Sequence, residues 1–333
     1  MSTWATGAAS TARWRERVTD HAPPSGAAPS RPRDLAGYGA APPQVRWPNG
    51  AGLALNLVLN VEEGSEYSLE LGDGRSETAL SEVRASRVPQ GQRDLAVESM
   101  YEYGSRVGFW RLHDLFTSRG LPVTVFASAM ALERTPAIAR AIAEASWDLC
   151  AHGWRWVEHY RLDPATEAQH IAMAHDSILR SVGRAPAGWY CRYAPSEATR
   201  GLVAEHGGFL YDSDAYNDDL PYWTTAAGRD HLVIPYTMTT NDAKFLSGDV
   251  FCGAQFADYL IDTFDVLLAE SAEVPRMMSV GLHARVIGHP GRIAGLTRFL
   301  DHVAGKTGVW LCGREDIARH WRAVVPPGTG GAG

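Results

Sequence analysis

The sequence predicts an α/β fold in which a mostly parallel sheet curls into a closed or nearly closed (β/α) barrel. Three observations lead there. From about residue 51 onward, short apolar runs alternate with helical patterns, the signature of βα units. Seven or eight strands and as many helices can be counted, a number that suits a barrel better than an open sheet. Residues 51–61 are apolar enough for a central strand covered on both faces, and the run ends abruptly in Glu62, Glu63 and Gly64.

Taken in order, residues 1–32 are rich in Ala, Ser, Pro, Gly and Arg without periodicity, which predicts a flexible leader. A single catalytic domain is expected over 33–326, followed by a short flexible tail at 327–333. After the first strand, residues 65–99 carry Gly72-Asp-Gly74, many charges and no alternation, and read as an insertion over the strand end. Spacing predicts a helix over 101–119, stopped by Gly120, and a strand over 121–127. A helix at 136–145 and a strand at 148–152 follow. Pro164 after Asp163 opens the longest amphipathic helix, 164–182. Strands are expected at 187–192, 209–211, 231–236, 277–283 and 308–312, with helices at 196–206, 253–270, 291–304 and 314–322.

Composition narrows the function. The chain has 333 residues, 45% of them apolar and 21% charged, ordinary values for a globular protein. A net charge of −7 without clusters of Lys and Arg argues against nucleic acid and for a small-molecule substrate. No apolar stretch approaches membrane-spanning length, and the amino terminus lacks a basic region followed by an apolar core. The expectation is a cytoplasmic protein that does not bind membranes. Cys150, Cys191, Cys252 and Cys312 lie far apart, without a C-x-x-C pair, and are expected to be reduced.

Residues at the carboxyl ends of parallel barrel strands share one mouth whatever their separation in sequence. Those residues are Glu62 and Glu63, His152, Arg192, Asp212 and Asp214, Asn241 and Asp242, and His283. Singly, each has an ordinary explanation: a satisfied core histidine, a surface ion pair, a solvated loop. Their number favours an active site. Two adjacent carboxylates drawn into a cleft repel, so one tends to keep its proton. A catalytic zinc needs three protein ligands. Glu63 and His152 offer two, but one helical turn after His152 stands Trp156, whose indole is a donor only. His159 lies seven residues on, beyond Gly153 and two tryptophans. The sequence argues for a site with no tightly held metal and no cofactor.

The motifs Glu62-Glu63, His152-Gly-Trp-Arg-Trp156, Gly208-Phe-Leu-Tyr-Asp-Ser-Asp214, Asp218-Asp-Leu-Pro-Tyr-Trp223, Val233-Ile-Pro-Tyr236 with Asn241-Asp242, and Leu282-His283 together resemble the polysaccharide deacetylase superfamily, in particular its metal-independent allantoinase branch. The resemblance runs from about Arg33 to Pro326. It implies a distorted barrel whose 65–99 insertion covers the mouth and supports a homo-oligomer, a tetramer in that branch. Most members hold a divalent metal with Asp-His-His. The branch replaces this triad with Glu-His-Trp, at positions that correspond here to Glu63, His152 and Trp156.

The implied activity is hydrolysis of a cyclic amide ring: (S)-allantoin to allantoate, a step of purine catabolism, or opening of a related hydantoin, ureide or cyclic imide. On this reading Glu63, with Glu62, orients or deprotonates water, and His283 is the general acid or base across the ring. His152 positions substrate, Arg192 fixes a carbonyl oxygen, Trp156 fills the space of the absent ligand, and Tyr190, Asp214 and Asn241 complete the substrate contacts. One segment departs from the branch. A Gly-Arg-Thr-x-Pro-Asn-Thr-Arg pattern is replaced by Tyr190-Cys-Arg192-Tyr-Ala-Pro195-Ser-Glu197-Ala-Thr-Arg200, so the substrate is open. The alternatives are a metal-dependent deacetylase of acetylated sugars and a non-catalytic binding member.

Overall fold

All nine residues of the strand β1 (Leu53–Val61) are buried, because neighbours pair with both of its edges and side chains cover both of its faces. The computed structural model describes residues 33–328. The expected leader at 1–32 and residues 329–333 of the expected tail lie outside the described residues. The other strands are β2 (Thr124–Ala127), β3 (Asp148–Ala151), β4 (Gly188–Trp189), β5 (Tyr211–Asp212), β6 (Tyr222–Ala226), β7 (Arg229–Val233), β8 (Arg276–His283) and β9 (Val309–Leu311). They form one sheet in the order β6-β7-β5-β4-β3-β2-β1-β8. β8 takes one edge of β1, while β9 and β2 share the other, β9 at its start and β2 further along. Every pairing is parallel except β6 with β7.

The α/β class and the curled, largely parallel sheet that stops short of full closure agree with the sequence reading; the strand count differs. Residues 222–226 form an additional strand, a hairpin with β7 whose two-residue turn, Ala227-Gly228, has both residues at positive φ. Such a turn usually announces itself as Asn-Gly or Asp-Gly, and Ala-Gly is a weaker signal. Among the described residues no strand pairs β7 with β8, so the barrel has a seam. Loop backbone covers it: Met277 N–H donates to Asp219 O at 3.0 Å, Gly281 N–H to Thr240 O at 2.9 Å, and Asp242 N–H to Gly281 O at 2.9 Å.

The period of two along β1 separates two cores. Leu53, Leu55, Leu57, Leu59 and Val61 pack outward against helices, with Phe109, Phe116, Phe256 and Phe264. Ala54 and Val58 face the barrel interior with Phe126, Tyr190, Tyr236 and Trp321. The helix Pro164–Val182 stands where expected, capped by Asp163, which accepts from Ala165 and Thr166 N–H, and closed by Gly183 in the left-handed region. The helix expected at 101–119 begins earlier, at Leu95, where Asp94 accepts from Val97 N–H. It passes through a π turn at Gly104–Gly108 before continuing as Phe109–Ser118. Cys150, Cys191 and Cys312 are buried, Cys252 is exposed, and all four are unpaired. Among the described residues no helix is long and apolar enough to cross a membrane.

Arg314, fully buried at the start of the last helix, ties the interior together. Its guanidinium donates to Ser279 Oγ of β8 at 2.7 Å, to Ile234 O and Pro235 O just after β7 at 2.6 and 2.9 Å, and to Ser213 Oγ after β5 at 3.0 and 3.2 Å. It thus reaches both sides of the seam. Removing it strands several buried acceptors, each of which costs about 1–3 kcal/mol when left unpaired. Arg314→Met is expected to destabilise the fold by about 3 kcal/mol or more, read as the shift in urea unfolding midpoint. A change below about 1 kcal/mol would show that the seam closes without it.

Candidate active site

The alternation that splits the two cores also splits the two glutamates. Asn56, Asn60 and Glu62 continue the inward face of β1, while Glu63 falls on the outward parity with Val61. Glu62 lies at the floor of a cavity of about 280 Å3 and is 1% exposed. Its Oε1 is 3.0 Å from His152 Nε2 and 3.6 Å from His283 Nε2, and its Oε2 is 2.7 Å from a terminal nitrogen of Arg285. Glu63 turns away from the cavity. Its Oε1 is 3.3 Å from Arg285, its Oε2 accepts from Glu62 N–H at 3.2 Å, and it packs so closely on Gly104 of the π turn that a Cβ there would collide with the carboxyl group. The glutamate beside His152 and Trp156 at the cavity is therefore Glu62, not the expected Glu63.

Parallel registry of β1 with β8 pairs Asn60 with His283 and so delivers His283 beside Glu62. Behind it, Asp242 Oδ1 is 2.6 Å from His283 Nδ1, and Asp242 Oδ2 accepts from the backbone N–H of His283 and Ile287 at 2.7 and 3.2 Å. His283 Nδ1–H therefore points at Asp242 and Nε2 faces Glu62 and the cavity. His152 sits at the end of β3, its Nδ1 donating to Tyr190 O at 3.0 Å and its ring stacked on Tyr190 at 4.9 Å. Nearby, the Tyr236 hydroxyl accepts from Asn60 Nδ2 at 3.2 Å and from Asn241 Nδ2 at 3.4 Å. Its own O–H is then available to the cavity that Tyr236 lines.

These contacts set the charge states. Burial pushes the Glu62 carboxyl up, but Arg285, His283 and His152 outweigh it and hold Glu62 well below the usual carboxylate range. Burial dominates at Glu63 and raises it, with the Glu62 charge adding to the effect against Arg285. Burial opposes the charged form of His283, yet Asp242 and Glu62 carry it above the ordinary histidine value.

Of the other expected contacts, Trp156, Arg192, Tyr190 and Asn241 line the cavity. Arg192 is already engaged there: it pairs with Glu77, lies 3.6 Å from Glu158, donates to Trp156 O at 3.1 Å and stacks over the Trp156 ring at 3.8 Å. Asp214 does not reach the cavity. Its Oδ1 accepts from Cys191 N–H, its Oδ2 is buried without a hydrogen bond, and burial with the neighbouring Asp212 raises its pKa. Of the 65–99 segment, Ala79 and Leu80 line the cavity. The segment is anchored by Glu77 on Arg192, by Tyr67 O–H donating to Glu158 at 2.6 Å, by Arg155 on Asp73 at 2.6 and 2.9 Å, and by Arg285 Nε donating to Leu80 O at 3.0 Å.

Residues 90–209 match the polysaccharide deacetylase family. A Schizosaccharomyces pombe protein named "Putative polysaccharide deacetylase" is 38% identical over 314 residues, covering 88% of this chain and 98% of that one. The chain belongs to the polysaccharide deacetylase family. A polysaccharide deacetylase-family crystal structure from Pseudomonas aeruginosa PAO1, named "probable Polysaccharide deacetylase", is 48% identical, with a TM-score of 0.85 over 89% of this chain and 99% of that one. The crystal structure of an allantoinase is 47% identical, with the same TM-score of 0.85 and the same coverage of 89% and 99%.

The donors in this polysaccharide deacetylase-family site do not fit the divalent metal of the Asp-His-His members. Trp156 offers no lone pair, and the space between the two glutamates is taken by the cationic Arg285. Among the described residues no group of three or more His, Cys, Asp and Glu side chains is arranged to hold a metal ion.

Arg285, Tyr236 and Asn60 escaped assignment from sequence, and Asp242, expected at the mouth, received no role there. Two signals existed: Asn60 is polar inside an apolar strand and two residues before Glu62, and Arg285 is two residues after His283. Since Asp242 raises the His283 pKa, Asp242→Asn is expected to lower the midpoint of the His283 ring titration, followed by NMR. An unchanged midpoint would show that Asp242 only orients the ring.

Proposed function

We propose that the protein is a hydrolase that opens a cyclic amide ring of the hydantoin type without a metal, with 5-substituted hydantoins, (S)-allantoin among them, as the substrate class. The observation that carries this reading is a buried array, ionised Glu62 beside Asp242-backed His283, at the floor of a cavity sized for a small ring. The 47% identity to an allantoinase supports the choice of ring.

Glu62 and His283 have environments that push their pKa values apart, which assigns the roles. Glu62, ionised throughout the working range, accepts a proton from water as the oxygen attacks the ring carbonyl carbon. Its depressed pKa makes it a mild base, so its contribution is placement of the water as much as proton affinity. His283, with a raised pKa, enters protonated and gives its Nε2 proton to the ring nitrogen as the C–N bond breaks. The product is an open-chain ureido acid. Negative charge building on the carbonyl oxygen is met by the Tyr236 hydroxyl, which Asn60 and Asn241 fix in place by donating to it. His152 positions Glu62 from one side and Arg285 from the other, and Trp156 walls the site.

Glu62→Gln is expected to lower kcat/KM on hydantoin by about 100-fold to 10,000-fold, and Glu63→Gln to cost less because its carboxyl lies behind the cavity. An equal or larger loss in Glu63→Gln would reverse the assignment. Hydrolysis is expected to survive exhaustive dialysis against a chelator. Activity abolished by the chelator and restored by zinc would decide instead for a metal-dependent deacetylase.

A further inference from the structure

The cavity changes character with depth. Its floor is polar and sealed, with Glu62, His283, Asn60 and Asn241 all at most 5% exposed. Its mouth is apolar and open. Tyr160, Tyr193 and Met238 line it while remaining 50%, 64% and 43% exposed. They come from three separate places in the chain: the turn after β3, the loop after β4 and the loop after β7. Single exposed apolar residues are ordinary on a protein surface, but several converging on one cavity mouth mark a place for an apolar group. The Tyr193 ring also lies 6.4 Å from that of Tyr216, whose hydroxyl meets that of the cavity-lining Tyr190 at 2.8 Å. Tyr193 belongs to the segment that departs from the allantoinase pattern, and Ala194 beside it holds a φ of 72°, a conformation that non-glycine residues adopt at some strain.

The charges near this rim are already engaged with one another. Arg192 pairs with Glu77 and Glu158, and Glu158 also accepts from Tyr67 O–H. A polar ureido tail would find few unsatisfied partners here, whereas an aromatic or branched aliphatic tail would lie against rings and a thioether.

Resting on the cyclic-amide reading, we propose that the preferred substrate carries an apolar, preferably aromatic, substituent on the ring carbon, held at the mouth by Tyr160, Tyr193 and Met238. The test compares kcat/KM for unsubstituted hydantoin, allantoin and 5-benzylhydantoin on the full chain. The benzyl compound is expected to exceed allantoin by about tenfold or more, and Tyr193→Ala to lower the benzyl-to-unsubstituted ratio by about tenfold, mainly through KM. Tyr160→Ala is expected to act in the same direction and guards against a folding defect in the first variant. Allantoin opened as well as the benzyl compound, or a ratio unmoved in both variants, overturns the proposal and leaves the cyclic-amide reading standing. Failure to open any of the three overturns both.

Discussion

Two glutamates adjacent in a strand-like extension cannot both face the same side of a sheet, because successive side chains alternate. The rest of the candidate site follows from this constraint. The inward parity of β1 takes Asn56 and Asn60 to the interior and then Glu62 to the cavity floor. The outward parity sends Glu63 toward the helices, where the π turn at Gly104 makes room for it. One carboxylate is thereby committed to the cavity and the other to the layer behind. Registry with β8, which sets Asn60 against His283, then brings His283 to Glu62 alongside His152.

Burying two carboxylates side by side is tolerable only if cations accompany them, since an isolated charge in a dry interior is strongly disfavoured. Arg285 meets that demand. One guanidinium touches both acids and lies over the rings of Tyr101 and Trp156 at 4.5 and 5.0 Å. Trp156 also carries Arg192 on its ring, so an indole at this position supports two cations by their faces where an imidazole would contribute a ligand. An indole that offers a metal no lone pair and a resident cation between two carboxylates thus occur at one place. The same guanidinium donates to Leu80 O, so charge balance under the cavity and the cover above it share an anchor.

Much of this was legible in the sequence, and the parts that were not have identifiable causes. The central strand, the long helix opened by Asp163 and Pro164, and the carboxyl-end clustering of His152, Arg192, Asn241 and His283 all follow from local pattern. The choice between Glu62 and Glu63 was also within reach. The polar positions Asn56 and Asn60 mark the inward face of β1, and counting by two from them arrives at Glu62. Asp214 was misplaced for the opposite reason: β5 is only two residues long, too short for its end to define a direction, and the residue turns back to Cys191. Arg192 reached the cavity, but its engagement by Glu77 depends on an irregular segment whose path no periodicity encodes. The hairpin β6–β7 is local, but its Ala-Gly turn is a weak signal, and the seam depends on contacts far apart in sequence, which propensity does not report.

The seam matters for chemistry as well as for closure. A barrel completed by one more regular strand would place alternating side chains along β8. This one is completed instead by loop backbone at 240–242, which bridges to Gly281. That irregular stretch brings Asn241 and Asp242, consecutive residues, to two different tasks: Asn241 reaches the Tyr236 hydroxyl from the cavity side, and Asp242 passes behind His283 to hold its Nδ1 and backbone N–H. The close approach depends on Gly281, where a Cβ would collide with both Asn241 and Tyr236. Closing the sheet and orienting His283 are therefore the same act of folding, and Arg314, which reaches across the seam from within and lies over the Tyr236 ring, supports the geometry of the candidate site.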